Sequence, residues 1–505
     1  YPITPREWHF KSSIEYSVSL NYAILNHAVR HGDELLRNIY LMGRRSIEKG
    51  QKDTWTLYPK NAQAIEDAFE KARKEGKAKR PTGWRSGLPV EFYEQVYQDP
   101  ARKDPYGYIL PADQADFPTA IKFLNALIKS GIRVEKATAD FSVNGKSYPA
   151  GSYIVKTDQA FRPHVLDMFE PQDHPNDFLY PGGPPIRPYD AAGWTLIDRI
   201  MQDFDGPFEQ VPYGQIQTPP AKPLANGSGY LIDIKGNNAF MAVNDLLKAK
   251  VKVYRTQQEV NGLPAGSFYV GSGGKKILEK AAQEYGVYAK PASMPKGATE
   301  IKPARIGLYD YYGGSMPSGW VRWMLEQFHF DYKQVFPLEI DQGNLKDKYD
   351  VLLFIGPGIP SVGSRGGGRS QPDSSEIDPQ YHHMLGNFSA EKSLPQIKAF
   401  LENGGEVLTV GSATELAFHL GLPVSDALVE MGSDGKETPL SGEKYYIPGS
   451  VLEMHVDNSQ PINYGMGEKS YIMFNRSPVF RLDPEAANQG VKAIAWFGEE
   501  EPLRS

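Results

Sequence analysis

Along the first fifty positions, apolar residues recur at spacings of three and four. Ile14, Val18, Tyr22, Leu25 and Val29 draw one stripe, and after Gly32 the pattern restarts at Asp33 with Leu35, Leu36, Ile39 and Tyr40. That period puts the apolar side chains on one face of a helix. It predicts helix over residues 5–50, interrupted at Gly32 and stopped at Gly50. From Gln51 to Pro105 the pattern weakens, and the mixed charge run from Glu70 to Arg80 reads as a solvated helix end.

Next comes an internal repeat. Its first copy, near residues 106–155, runs from YGYILPAD through the helical DFPTAIKFLNALIKSG and the strand IRVEKA to a hairpin ending PAGSYIV. The second, near 229–270, runs from GYLIDIK through NNAFMAVNDLLKA and KVKVYR to PAGSFYV. The helix stripes match, with Ile121, Leu124 and Ile128 in one copy and Val243, Leu246 and Leu247 in the other. Asp116 supplies a cap and Gly131 a stop for the first helix. Two strand–helix–strand–hairpin units are therefore expected, packed as one pseudo-symmetric α/β body over residues 51–302. A connection rich in Pro, Gly and aromatic residues (170–222) separates the copies, and its YPGGPPIRPYDAAGWTL run cannot be regular structure. It reads as a packed surface connection, with a groove lined by Arg187, Tyr189, Asp190 and Trp194 as the functional alternative.

Residues 303–505 open as strand, helix, strand, helix, strand: ARIGLYDYYGG, SGWVRWMLEQF, YDVLLFIG, SLPQIKAFLENGG and EVLTVGSATELA. That order predicts a parallel, flavodoxin-like sheet with helices on its faces. Ser393 with Gln396 has the capping-box spacing, and Gly404–Gly405 ends that helix. Residues 356–392 form a long polar loop, expected to be mobile, and after Gly421 the pattern turns to short strands.

Composition narrows the classes. The chain has 505 residues, 40% hydrophobic and 12% aromatic, which is enough for several sizeable cores. A net charge of −6 gives no electrostatic footprint for nucleic acid. The longest apolar runs, such as Val351–Ile355, are too short to span a membrane. There is no cysteine, so disulfides, thiolate metal sites and cysteine catalysis are excluded. The chain begins at Tyr1 and shows no signal peptide, and is expected to be a processed or internal piece of a longer protein.

Candidate chemistry is sparse. His31-Gly-Asp-Glu34 has the H-x-x-E spacing of a zinc site, with His164 further on. A zinc hydrolase needs three protein ligands and an open position for water, and the pair falls at a helix restart, where Asp33 and Glu34 more simply serve the helix N-terminus. His382 and His383 lie in the polar loop without a carboxylate at ligand spacing. Gly363–Gly368 lacks the Gly-Lys-Ser/Thr ending of a phosphate loop. Val407–Ala417 is a strand turning into a helix, where a nucleophile elbow would sit, with Ser412 or Ala413 at the turn. The G-x-S-x-G pattern is not met, and His419 is poorly placed to act as its base. The residues thus assign no catalytic, metal or substrate site.

Several of these segments together resemble the downstream portion of large bacterial zinc carboxypeptidase-like proteins. They are the N-terminal PITPREWHFKSSIEYSVSLNYAILNHAVRHGDELLRNIYLMGRRSIEKG, PYGYILPADQ, PAGSYIV, FRPHVLDMFEPQ, the YPGG run and IGLYDYYGGSMPSGWVRWMLEQF. In that group a carboxypeptidase A-type domain precedes an ancillary region, which ends in a domain similar to class I glutamine amidotransferases without their cysteine. The family's H-x-x-E pair, later His, Glu base and substrate-gripping Arg match no position here. The resemblance implies that residues 1–50 are the tail and docking element of an upstream catalytic domain. It places zinc in that domain, with no cofactor in this chain, and makes residues 303–505 a degenerate amidotransferase-like domain that lacks further strands. It also implies a secreted, periplasmic or extracellular setting, with the upstream segment of the same protein and peptides as partners. The expected role is a non-catalytic ancillary region of a metallopeptidase; the alternatives are a stand-alone extracellular binding or assembly module and a serine hydrolase using Ser412.

Overall fold

A computed structural model describes residues 4–56, 58–79, 87–170, 178–180, 183–186, 197–362, 370–447, 449–475 and 477–498. The protein is mixed α/β with several sheets, one of them parallel and four-stranded. The chain divides into two compact units. One comprises residues 1–112, 126–170 and 194–215, the other residues 113–125, 171–193 and 216–505.

The first unit opens with α1 (Phe10–Gly50), a helix of 41 residues, about 60 Å long at 1.5 Å per residue. The expected interruption is a kink at His31 (φ −119°, ψ 17°), which the helix passes without ending. Gly50 is the only residue of α1 that is fully buried. The helices α2 (Pro59–Lys74) and α3 (Val90–Tyr97) occupy the stretch where the sequence pattern is weak. They pack Ile65 and Phe69 against Phe92 and Val96, with the two Phe rings edge to face at 5.4 Å.

An antiparallel sheet follows, built from β1 (Gly107–Leu110), β2 (Glu135–Ala137), β5 (Tyr153–Lys156), β6 (Asp198–Ile200) and β7 (Phe208–Gln210) in the order β6-β1-β5-β2-β7. Leu110 faces Tyr153 and Gly107 faces Lys156. Between β2 and β5 a separate hairpin pairs β3 (Phe141–Val143) with β4 (Lys146–Tyr148). Its turn residues Asn144 and Gly145 have φ of 51° and 78°, the backbone of a two-residue type I′ turn. Helix α4 (Phe117–Lys129) starts at the expected cap, where Thr119 Oγ1 donates to Asp116 Oδ2 at 2.7 Å. Its end is Gly131, whose φ of 87° suits glycine. Helix α5 (Arg162–Phe169) lays Phe169 flat on Tyr108 with ring centroids 4.1 Å apart.

In the second unit an antiparallel sheet is built from β8 (Gly229–Ile232), β9 (Val253–Arg255), β10 (Phe268–Gly271), β11 (Ala289–Pro291) and β12 (Thr299–Ile301), ordered β11-β8-β10-β9-β12. Ile232 faces Phe268 and Gly229 faces Gly271. Helices α6 (Asn238–Lys248) and α7 (Lys275–Tyr285) cover it, burying Ala242, Val243, Leu246, Leu278 and Ala281.

The parallel sheet runs β14-β13-β15-β16, from β13 (Ile306–Tyr309), β14 (Tyr332–Val335), β15 (Val351–Ile355) and β16 (Glu406–Val410). Helix α8 (Met316–Gln327) leaves β13 under a Ser315 cap and packs Leu325 over Leu308 and Leu353. On the other core, α9 (Pro337–Gln342), α10 (Leu345–Lys348) and α11 (Ser393–Glu402) enclose Leu352, Phe354 and Ile397. The polar loop after β15 is partly built into this core. Phe388 is buried edge to face against Phe354, at 6.1 Å, and Tyr309. Two 3₁₀ turns in the loop are capped by Asp373 and Asp378. The expected capping box at Ser393 does not form. Ser393 Oγ donates to Asp341 instead, and Ser389 Oγ accepts from Lys392 N. Helix α12 (Leu416–Leu420) ends at Gly421, with φ of 71°. Beyond it lie short antiparallel strands: β17 (Val424–Asp426), β18 (Val429–Met431), β19 (Glu437–Pro439), β20 (Ser450–Val456), β21 (Lys469–Phe474), β22 (Phe480–Leu482) and β23 (Ala495–Trp496).

Candidate functional site

The residues singled out by sequence are scattered. His31 lies 3.6 Å from Glu34 on the exposed α1, and its ring sits tilted against that of His27. Among the described residues no group of three or more His, Asp or Glu side chains could hold a metal ion. His382 Nε2 lies against Ile377 O and His383 Nδ1 against Gln380 O, so both rings serve their own turn. Ser412 sits in a 3₁₀ turn after β16, and His419 Nε2 is engaged by Pro360 O at 2.6 Å. Arg187, Tyr189, Asp190, Trp194 and Gly363–Gly368 lie outside the described residues.

Strand ends of a parallel sheet are the usual ligand position. Here the end of β13 holds Asp310, a buried carboxylate that accepts from Tyr311 N, Ser318 Oγ and Gln334 Nε2 at 3.0–3.2 Å. Those bonds tie the start of α8 to β14 and make Asp310 an anchor.

The feature with the form of a binding site lies elsewhere in the second unit. A cavity of about 780 Å³ opens between α6, the link from β12 to β13, the turn His329–Asp331 and the segment Pro461–Tyr464. That size falls within the usual range for small-molecule sites. Phe240, Val243, Leu247, Phe268, Ile301 and Phe330 form its apolar wall, with Phe240 edge to face on Phe268 at 5.7 Å.

Polar contacts fix the walls. His329 has a left-handed backbone (φ 60°), a conformation that costs a non-glycine residue roughly 1 kcal/mol. It is held by its Nδ1, 2.7 Å from Asp245 Oδ1, and by edge-on packing against Tyr285. Burial, with help from Asp245, pushes the Tyr285 hydroxyl up to about 12, so it stays a donor. Asn244 Nδ2 donates to Phe328 O at 2.8 Å and joins α6 to the same turn. On the far side, Arg255 Nη2 donates to Pro461 O at 2.6 Å, and its guanidinium lies 5.0 Å from the Tyr464 ring centroid.

Charge around this cavity is unbalanced. Lys248 pairs with Asp331 at 2.9 Å. Lys250, Lys302 and Arg255 also line the cavity, and none of the three forms an ion pair among the described residues. Arg255 Nε is buried without an acceptor among the described residues, and burial holds the guanidinium below its usual pKa, partly offset by Tyr464. An arginine stays protonated in such a setting. A dry apolar wall beside uncompensated cations can hold an anion that carries an apolar body.

This cavity is hard to read from the sequence. Its contributors run from Ile234 to Tyr464, more than two hundred positions apart along the chain. The clue available was Arg255 at the end of a strand with no acidic residue placed to pair with it.

Compared with protein-family models, with curated proteins and with solved structures, the chain matches none.

Proposed function

We propose that this chain is a non-catalytic ancillary region of a zinc carboxypeptidase-like metallopeptidase, supporting the catalytic domain and its peptide substrate. The two antiparallel sheets are read as copies of one unit and the parallel sheet as flavodoxin-like, the arrangement expected from the internal repeat and from the strand–helix order. The observation that carries the reading is the exposure of α1. Ile14, Val18, Tyr22, Leu25 and Val29 are 48–84% exposed, as are most of the other large apolar residues of this helix. A helix that leaves this much apolar surface in water is a surface for another body to cover. The described residues include no helix long and apolar enough to cross a membrane.

In the test, the chain is co-expressed with the segment encoded upstream of it, and co-purification is measured with Val18→Glu/Leu25→Lys as the competitor variant. Co-purification that the variant abolishes supports the reading. Retention of the upstream segment by the variant, or its absence from both preparations, overturns it.

A second reading, a stand-alone binding module, is favoured by the cavity beside Arg255, which has the size and polarity of a ligand site.

A further inference from the structure

We infer that the cavity beside Arg255 is a binding site for a small carboxylate carried on an apolar body, such as a medium-chain or aryl-alkyl acid. This deepens the binding-module reading and rests on it. Three observations converge. The wall is apolar and aromatic over most of its extent, through Phe240, Leu247, Phe268 and Phe330. Its cations outnumber its carboxylates. Arg255, Lys250 and Lys302 have no ion-pair partner among the described residues, and Asp331, the one acidic residue lining the cavity, is already paired with Lys248. Lastly, Arg255 is poorly satisfied where it stands. Its guanidinium meets a ring face and one carbonyl, and its buried Nε has no acceptor among the described residues.

Leaving a buried donor unmet is costly. Arg255 lines the cavity and offers an entering carboxylate a planar, charged donor group of the kind that suits its two oxygens. Lys250 and Lys302, both exposed, would add attraction from the rim. The apolar wall would take the rest of the molecule out of water at about 25 cal/mol per Å². A phosphate or sulfate alone would use the cations and leave that wall wet. An uncharged hydrocarbon would fill the wall and leave Arg255 as it is. The pairing of the two surfaces selects the amphipathic acid.

Isothermal titration of the full chain with decanoate, 1-decanol and decyltrimethylammonium tests this. Expected is decanoate binding at least about tenfold tighter than the alcohol, the value of one charged hydrogen bond, with no binding of the cation. Arg255→Met should lose that margin. Because Arg255 also holds Pro461, the exposed pair Lys250→Gln/Lys302→Gln provides an independent check and should weaken decanoate alone. Leu247→Trp, which narrows the apolar wall and keeps every charge, should weaken binding of decanoate and decanol alike and so exclude uptake by α1. Equal affinity for decanol and decanoate, or decanoate binding unmoved by the charge variants, overturns the carboxylate assignment and leaves a binding module standing. Binding unmoved by Leu247→Trp, or no binding of any probe, overturns the site and removes the support for the second reading as well.

Discussion

Arg162 Nη2 stands 2.6 Å from Asp104 Oδ2, with both side chains more than nine-tenths buried. Asp104 also accepts from Thr56 N and from the hydroxyls of Thr54 and Thr56. Arg162 in turn donates to Thr54 Oγ1. The pair joins α5 to the residues just before β1, and through Thr54 and Thr56 to the segment that follows α1. Removing one partner leaves a buried, uncompensated charge, so Arg162→Met should destabilise the first unit by about 3–5 kcal/mol. Replacing both partners by apolar residues should recover much of that loss. Urea denaturation of the single and double variants measures both, and a neutral single variant would show the pair to be dispensable.

Glu170 predicts a pH dependence. Burial raises its pKa, opposed by Arg199 and by the Tyr108 hydroxyl that donates to it at 2.8 Å. With the folded value above the unfolded one, the native state binds the extra proton. The stability this contributes is complete below the ordinary carboxylate value of about 4.3 and is lost as pH rises through the raised one. Glu170→Gln should therefore flatten the melting temperature across that window and leave it unchanged at lower pH. An unaltered pH profile would count against it.

Gly50 predicts a steric effect. A Cβ there would lie 2.3 Å from Thr157 O and 2.4 Å from Asp158 Cα, both backbone atoms. Gly50→Ala must push the end of α1 away from the loop after β5, at a cost of about 1–3 kcal/mol. Hydrogen exchange should quicken around residues 46–54 ahead of the sheet. Full protection there would refute the close approach.

On α1 itself the expectation reverses. Val18→Glu and Leu25→Lys touch exposed positions, so each should change the stability of the isolated chain by no more than about 0.5 kcal/mol. A large loss of stability in the isolated chain would mean that these residues are already covered by it.

What was legible in the sequence was local. The stripe from Ile14 to Tyr40 is a helical period read over neighbouring residues, and the Asp116 cap needs only Thr119, three positions on. Gly32 misled slightly, because a residue without Cβ weakens a helix by about 0.5–1 kcal/mol and a kink at His31 absorbs that without a break. The Ser393 capping box failed through tertiary competition, since Asp341, far away in sequence, takes the serine hydroxyl. Strand pairing was the least readable. PAGSYIV and PAGSFYV are recognisable as strands, but that each sits at the centre of five follows from partners distant in the chain. The cavity was invisible for the same reason, since Arg255 and Tyr464 meet only after folding.

The central claim is that α1 is covered by a catalytic segment of the same protein. A photo-crosslinking amino acid at position 25, introduced in the native host and followed by peptide mapping of the adduct, tests it most directly. The account predicts an adduct with a zinc-binding carboxypeptidase-like segment encoded upstream. A chain recovered without any adduct, as a lone species of 56.3 kDa, would contradict it.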